Sequence, residues 1–200
     1  MLAASRTIAR AEVLHFTVDT ENSSITATVD EPLSRINGTV DGTFQILNGE
    51  ISGDPADPAS TGHVAIVINP TTYHSDSNHR DDVVLRDALE TRTYSMIRFV
   101  STRIEDLKME APGAIGSATV VGNLILHGTT REIRVPVEVT LSPDHEISAN
   151  GEVTFDYTDY GITPPRAMFG ALAAGKEVDL KFHIAGTVVG DSTASPTPTP

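Results

Sequence analysis

Apolar and polar residues alternate strictly in two neighbouring stretches, residues 120–126 and 133–141. A period of two predicts half-buried β-strands, because successive side chains of a strand point to opposite faces. The intervening Gly128-Thr129-Thr130 suits a turn, since glycine tolerates positive φ. We therefore predict a β-hairpin over residues 120–141, which needs a larger antiparallel sheet for stability. Its apolar face comprises Val120, Gly122, Leu124, Leu126, Ile133, Val135, Val137, Val139 and Leu141.

Similar alternation predicts further strands at residues 14–19, 24–29, 35–51, 63–69, 94–102, 103–109, 146–157 and 177–189. Residues 21–23 and 142–145 read as turns, residues 54–62 as a loop, and residues 167–175 as a short helical turn or loop. Two adjacent prolines make residues 158–166 irregular.

One segment has helical periodicity. Residues 80–91 place Val84, Leu85, Ala88 and Leu89 on one stripe. Asp81 or Asp82 near its start is a candidate cap, and we expect this helix to pack on the sheet.

Eight to ten strands with one helix and no βαβ pattern predict an all-β fold, an antiparallel barrel of about eight strands. Closure removes the exposed edges that promote aggregation. We expect a loose arm at residues 1–12, the barrel domain at 13–190, and a disordered Thr/Pro-rich tail at 191–200. About eight strands leave an interior that side chains fill or that holds one slender ligand.

The faces predicted to point inward are almost wholly apolar, so a ligand of a hollow barrel should also be apolar. The same residues would simply be core in a filled barrel, which would serve as a structural or interaction module. The candidate lining residues are Ile25, Ala27, Val29, Phe44, Val64, Ile66, Ile68, Phe99, Leu124, Leu126, Val135, Val137, Phe155, Leu180 and Phe182.

Composition narrows the functional classes. The 200 residues carry a formal net charge of −13, which disfavours binding to nucleic acids and anionic membranes. The absence of cysteine excludes disulfides, cysteine-ligated zinc and a thiol nucleophile. No window reaches the roughly 18 apolar residues of a membrane span, and residues 1–12 show no apolar core of a signal peptide.

Six short motifs, in order, resemble the YceI-like family of polyisoprenoid-binding, lipocalin-like barrels. The resemblance covers residues of about 12–189. The motifs are Asp19 with Ser23, Gly42-Thr43-Phe44, Arg80-Asp81, Ile97-Arg98-Phe99-Val100-Ser101, the hairpin segment 122–131 that contains Leu126-His127-Gly128-Thr129, and Asp159-Tyr160-Gly161-Ile162.

This resemblance implies an eight-stranded lipocalin-like barrel, a long isoprenoid ligand, and residence in the periplasm, at the cell surface or outside the cell. The chain departs from the family pattern at Ala27 and at Ser95, where an aromatic residue and a proline are usual. Residues 88–91 replace a common Asp-Phe-Phe-Asp. Losing aromatic residues changes the shape of a pocket, so the ligand can differ from that of other members.

Candidate chemistry is sparse. None of the seven histidines has a strong metal-ligand spacing, and His74 and His79, near Asp76, Asp81 and Asp82, form the best metal candidate. No nucleophile elbow is present, so we predict no metal, no cofactor, no catalytic residues and no enzymatic activity.

We predict an apolar lipid as the partner, while the oligomeric state stays open between monomer and homodimer. Arg80, Arg131 and Arg166 are the candidate contacts for a ligand head group. For Arg80 the plainer interpretation is an ion pair that latches a loop, and Arg131 is by default a turn cation.

Overall fold

The chain forms a closed, eight-stranded antiparallel barrel in the order β1-β10-β7-β6-β5-β4-β3-β2. The structure, a computed structural model, describes residues 13–31, 38–54, 56–108, 115–144, 146–167 and 172–189. The predicted arm at 1–12 and tail at 191–200 lie outside these ranges. The barrel strands are β1 (Leu14–Asp30), β2 (Thr39–Gly53), β3 (His63–His74), β4 (Ile97–Lys108), β5 (Ile115–Leu126), β6 (Thr129–Leu141), β7 (Glu146–Asp156) and β10 (Glu177–Val188).

Closure comes from β1, which pairs with β2 on one side and with β10 on the other. Val29 lies opposite Val40 of β2 and Val178 of β10. Because each of the eight strands has two partners, the barrel exposes no free edge in the described part of the chain. The predicted fold class is confirmed.

Strand β1 is continuous, although the sequence suggested two strands with a turn at residues 21–23. The register shifts between Asp19 and Ser24. The Asp19 carboxylate accepts hydrogen bonds from the backbone N–H groups of Glu21 and Asn22, and the Ser23 hydroxyl donates to the Asp19 carbonyl. The turn-forming residues thus build an irregularity inside one strand instead of ending it. The two strands predicted at 94–102 and 103–109 likewise correspond to a single strand, β4 (Ile97–Lys108), which starts three residues later than predicted.

The hairpin of β5 and β6 turns one residue earlier than predicted. Leu126 pairs with Thr129, so the turn residues are His127 and Gly128, with φ of 50° and 74°. Positive φ at both central positions is the type I′ pattern, whose twist suits a hairpin. A Cβ on Gly128 would lie 2.7 Å from the ring of Tyr94, so glycine is needed for space as well.

The predicted helix is shorter and begins earlier. Helix α2 spans Asn78–Val83, and a π-helical turn continues it over Val84–Ala88. Its N-cap is Ser77, whose hydroxyl accepts from the backbone N–H of Arg80. The prediction that Asp81 or Asp82 caps the helix is therefore wrong. Asp81 lies inside the helix and is buried, because its carboxylate accepts from the preceding loop.

Two short elements replace predicted irregular segments. Residues 54–62 contain the one-turn helix α1 (Pro58–Thr61), which Asp57 caps. Residues 167–175 contribute to a two-stranded sheet, β8 (Arg166–Ala167) and β9 (Leu172–Ala173). After β7, the 3₁₀ turn Tyr157–Tyr160 leads into the irregular segment that reaches this small sheet. Helices α1 and α2 lie at opposite ends of the barrel.

Candidate ligand-binding site

The barrel is hollow. Two cavities of about 590 Å³ and 360 Å³ lie along its interior, and both volumes fall in the range of small-molecule sites. We call the larger the α1 chamber, because residues around α1 line it, and the smaller the α2 chamber, because α2 lines it. The two chambers adjoin through a shared wall formed by Ile25, Ile68, Leu124, Phe155 and Leu180.

The α1 chamber is almost wholly apolar. Its only polar or charged lining residues in the described chain are Ser52 and Asp54. The Asp54 carboxylate is buried and accepts a hydrogen bond from the backbone N–H of Ala56. Six predicted lining residues lie here and not in the α2 chamber: Val64, Ile66, Phe99, Val135, Val137 and Phe182.

The α2 chamber combines apolar strands with a polar cap. Four predicted lining residues belong to it alone, namely Ala27, Val29, Phe44 and Leu126. Helix α2 and the turn after it add Val83, Val84, Ala88 and Leu89. The polar and charged lining residues are Glu31, Tyr73, Ser77, His79, Arg80 and Tyr157.

Every predicted lining residue therefore lines one chamber or both, and their contact with a ligand stays a prediction. The prediction missed a second group of α1-chamber residues: Leu14, Phe16, Ile104, Leu107, Ala118, Ile147, Ala149, Val153 and Ile184. Most continue the alternation of strands already identified, so extending the period of two to the strand ends would have found them.

Three aromatic side chains lie against glycines of an adjacent strand. A Cβ on Gly122 would lie 2.6 Å from Phe99, and one on Gly151 would lie 2.4 Å from Phe182. A Cβ on Gly42 would likewise lie 2.1 Å from the ring of Tyr73. Since these rings occupy the space that a side chain would need, they lie along the wall, and a larger residue at the glycine would push them into the chamber.

Arg80 is the charged centre of the α2 cap. Its Nε donates to a Glu31 carboxylate oxygen at 2.9 Å, and its Nη1 contacts the Asp76 carboxylate and the Ser75 hydroxyl. Its side chain is only 23% exposed. Arg80 therefore has the loop-latching ion pairs of the plainer interpretation and also lines the chamber, where a head group could reach it.

A hydrogen-bonded cluster around Asp81 supports the loop before α2. One Asp81 oxygen accepts from the Ser75 backbone and hydroxyl at 2.9 and 2.6 Å, and the other contacts Nδ1 of His74 at 2.9 Å. Burial, the largest single effect, opposes ionisation, but hydrogen bonds from Ser75 and His74 together hold the pKa of Asp81 below its ordinary value. Burial raises the pKa of the nearby Tyr73 hydroxyl, and the negative charge of Asp81 adds to that effect.

Of the other two predicted arginines, Arg131 does not join Arg80. Arg131 donates from Nε and Nη2 to the Asp159 carbonyl at 3.3 and 3.1 Å, so it pins the 3₁₀ turn, and it lines neither chamber. Arg166 lies at the end of an irregular segment in β8, and its side chain is outside the described part of the structure.

His127 of the hairpin turn also has structural partners. Its ring nitrogens contact the Tyr160 carbonyl at 3.3 Å and the Glu90 carboxylate at 3.2 Å, and its ring packs on Tyr94 with centroids 4.1 Å apart. Within the described ranges, no group of three or more His, Cys, Asp or Glu side chains could hold a metal ion. None of the helices described there has the length and apolar character that a membrane crossing requires.

A hollow, apolar, antiparallel barrel with a helical cap is the architecture of a lipocalin-like binding protein. A family profile described as the YceI-like domain matches residues 16–186. The chain belongs to the YceI-like family. This confirms the family suggested by the sequence motifs.

Relatives and solved structures agree. A UPF0312 protein of Vibrio cholerae is 28% identical over 138 residues, a match that covers 65% of this chain and 66% of that protein, just under two thirds. The crystal structure of BcnA from Burkholderia cenocepacia has a TM-score of 0.69 at 22% identity, covering 85% of this chain and 99% of BcnA. A polyisoprenoid-binding domain from Saccharophagus degradans, implicated in plant cell wall breakdown, has a TM-score of 0.66 at 14% identity, covering 88% and 99%. At these identities, the two structures show a common fold.

Proposed function

We propose that this protein is a non-enzymatic lipid-binding protein that holds an isoprenoid-like or other long apolar chain inside the barrel. The observation that carries the proposal is the hollow interior, with two adjoining chambers walled by aliphatic and aromatic side chains. We further propose that the protein sequesters or carries this lipid outside the cytoplasm. The YceI-like family and the polyisoprenoid-binding domain of similar fold support the ligand class.

Apolar burial alone provides sufficient binding energy. Each buried CH₂ contributes roughly 0.8 kcal/mol, so one five-carbon isoprene unit contributes at most about 4 kcal/mol. Observed gains per atom are smaller, at about 0.3 kcal/mol for drug-sized ligands, which corresponds to about tenfold in affinity per isoprene unit. Affinity should therefore rise with chain length until the chambers are full.

The alternative of a filled barrel used only as a structural module conflicts with the cavities. In this barrel, a cavity of about 590 Å³ lies next to buried side chains such as Val135 and Ile66. A filled barrel would have no cavity of that size. Well-packed cores contain few voids larger than a water molecule. The hollow interior therefore favours ligand capture.

The test has two parts. Native mass spectrometry of the purified protein, followed by organic extraction, would identify a co-purified lipid. Titration with geraniol, farnesol and geranylgeraniol should then show affinity rising by about tenfold per isoprene unit. Equal affinity for all three alcohols would contradict binding along the barrel interior.

A matched pair of variants locates the site. Ala149 lines the α1 chamber, and Ser148 precedes it on β7 with its side chain on the opposite face. Ala149→Phe should narrow the α1 chamber and reduce geranylgeraniol affinity at least tenfold, whereas Ser148→Phe should leave it unchanged. A reduction of the same size in both variants would place the site outside the barrel.

A further inference from the structure

We propose that the polar end of the ligand lies in the α2 chamber and is an uncharged, oxygen-bearing group, not a phosphate or diphosphate. This inference rests on the proposed function and adds the orientation and head-group class of the ligand. It follows from the unequal distribution of polar residues between the two chambers and from the charge balance around Arg80.

Orientation follows from the chamber walls. Polar and charged side chains line the α2 chamber at six described positions, Glu31, Tyr73, Ser77, His79, Arg80 and Tyr157. The α1 chamber has only Ser52 and Asp54, and no described Lys, Arg or His lines it. A buried polar group needs hydrogen-bond partners, so the polar end belongs in the α2 chamber and the tail extends past the shared wall into the α1 chamber.

The charge of Arg80 is already neutralised. Glu31 accepts from its Nε at 2.9 Å, and the Asp76 carboxylate contacts its Nη1. One guanidinium is thus paired with two carboxylates, so the group as a whole carries net negative charge. A diphosphate placed here would meet net negative charge in a partly desolvated site, which is strongly unfavourable without additional cations.

The α2 cap can donate hydrogen bonds to a neutral oxygen of the ligand. A guanidinium has five N–H donors, and in the described part of the chain Nη2 of Arg80 donates no hydrogen bond, whereas Nε and Nη1 are occupied. The Tyr73 hydroxyl, which also lines this chamber, is protonated at neutral pH and can donate. An alcohol, carbonyl or ether oxygen would therefore find donors without bringing a second negative charge.

Competition between two ligands with the same tail tests this directly. Native mass spectrometry with equimolar geranylgeraniol and geranylgeranyl diphosphate should show at least a tenfold preference of the unmodified protein for the alcohol. Equal binding, or preference for the diphosphate, would overturn the inference while leaving the proposed function intact. Binding of neither ligand would refute the proposed function, and the inference with it.

Charge-matched variants separate a local effect from the overall charge of −13. Glu31→Gln removes one carboxylate partner of Arg80, so the ratio of diphosphate affinity to alcohol affinity should rise at least fivefold. Glu152→Gln makes the same change in net charge on β7, where Glu152 pairs with Lys181 and lines neither chamber. If both variants raised this affinity ratio equally, the selectivity would come from the net charge of the protein. That result would overturn the role assigned to the α2 cap.

Discussion

The two chambers are enclosed by the same strands, yet their ends are built differently. The α1 chamber is bounded by apolar strand ends and one helical turn, and its single carboxylate, Asp54, accepts a hydrogen bond from the backbone N–H of Ala56 in its own loop. The α2 chamber is capped by a helix whose Arg80 donates to Glu31 and whose Asp81 accepts from Ser75 of the preceding loop. Under the proposed function, apolar burial would supply affinity in both chambers, whereas only the α2 cap would select among head groups.

The largest effect should come from placing a charge on the inner wall. Leu126 is 7% exposed and lines the α2 chamber, so Leu126→Asp should lower the free energy of unfolding by about 3–5 kcal/mol and abolish lipid capture. Val137 is half-buried on the wall of the α1 chamber. Val137→Asp should also abolish capture but destabilise less, because the carboxylate enters an existing cavity. Urea unfolding and lipid extraction measure both effects.

Thr140→Asp is the control for these variants, since Thr140 lies on β6 with its side chain on the face opposite Val137. It should keep lipid capture and change stability by no more than about 0.5 kcal/mol. If Leu126→Asp or Val137→Asp remained folded and still retained lipid, the result would contradict lipid binding in the chamber that the residue lines.

An intermediate effect should come from the α2 cap. Asp81→Asn removes a buried carboxylate that accepts hydrogen bonds from Ser75 and His74, which should cost about 1–3 kcal/mol at neutral pH. Because the folded state lowers the pKa of Asp81 from its ordinary 3.8, the ionised group stabilises the fold above that value. This contribution is lost as the pH falls through the lowered pKa.

Urea unfolding at pH 6 and below pH 3.8 checks the sign. The stability difference between the unmodified protein and Asp81→Asn should shrink at the lower pH. Asp82→Asn, an exposed position on the same helix, should change stability by no more than about 0.5 kcal/mol at either pH. A difference that grows on acidification would contradict a stabilising, ionised Asp81.

The smallest effect distinguishes two neighbouring tyrosines at the α2 end. The Tyr160 hydroxyl is buried without a hydrogen-bond partner in the described chain, and burial raises its pKa to about 12. Tyr160→Phe should therefore be neutral or stabilising by up to about 1 kcal/mol. The Tyr157 hydroxyl donates to the Gly175 carbonyl, so Tyr157→Phe should cost about 1 kcal/mol. Thermal unfolding of the two variants checks the order, and a larger loss in Tyr160→Phe would reveal a partner for its hydroxyl.

Strand positions and inward faces were predictable from the sequence wherever one face of a strand is buried in apolar surroundings and the other face is exposed to water. Leu124 and Leu126 follow that rule. Val121 breaks it, being fully buried on the outer face. Its cross-strand neighbours are Arg103 and Arg134, whose guanidinium groups are both tied to Glu105. The aliphatic stems of such arginines can cover an apolar neighbour, and this pairing depends on register between three strands.

Turns and caps were predictable only in part. Gly128 marked the hairpin, but the register that pairs Leu126 with Thr129 decided that His127 would share the turn. The segment at residues 21–23 has turn-forming residues, yet pairing of β1 with β10 and β2 carries the strand through it. Local preferences at such sites are worth about 1 kcal/mol or less, so the hydrogen bonds of a closed barrel outweigh them.

The sequence alone determined that this protein is an antiparallel barrel with an apolar inner face, because a period of two leaves each strand one face to bury. Only the tertiary structure decided that the interior is hollow and divided into two chambers. Strand tilt, register and ring placement decide whether inward side chains fill the interior or leave it open. Here the rings of Phe99 and Phe182 lie against Gly122 and Gly151 along the wall. The charge balance at Arg80 likewise depends on Glu31, a residue 49 positions away along the chain that the fold brings within 2.9 Å.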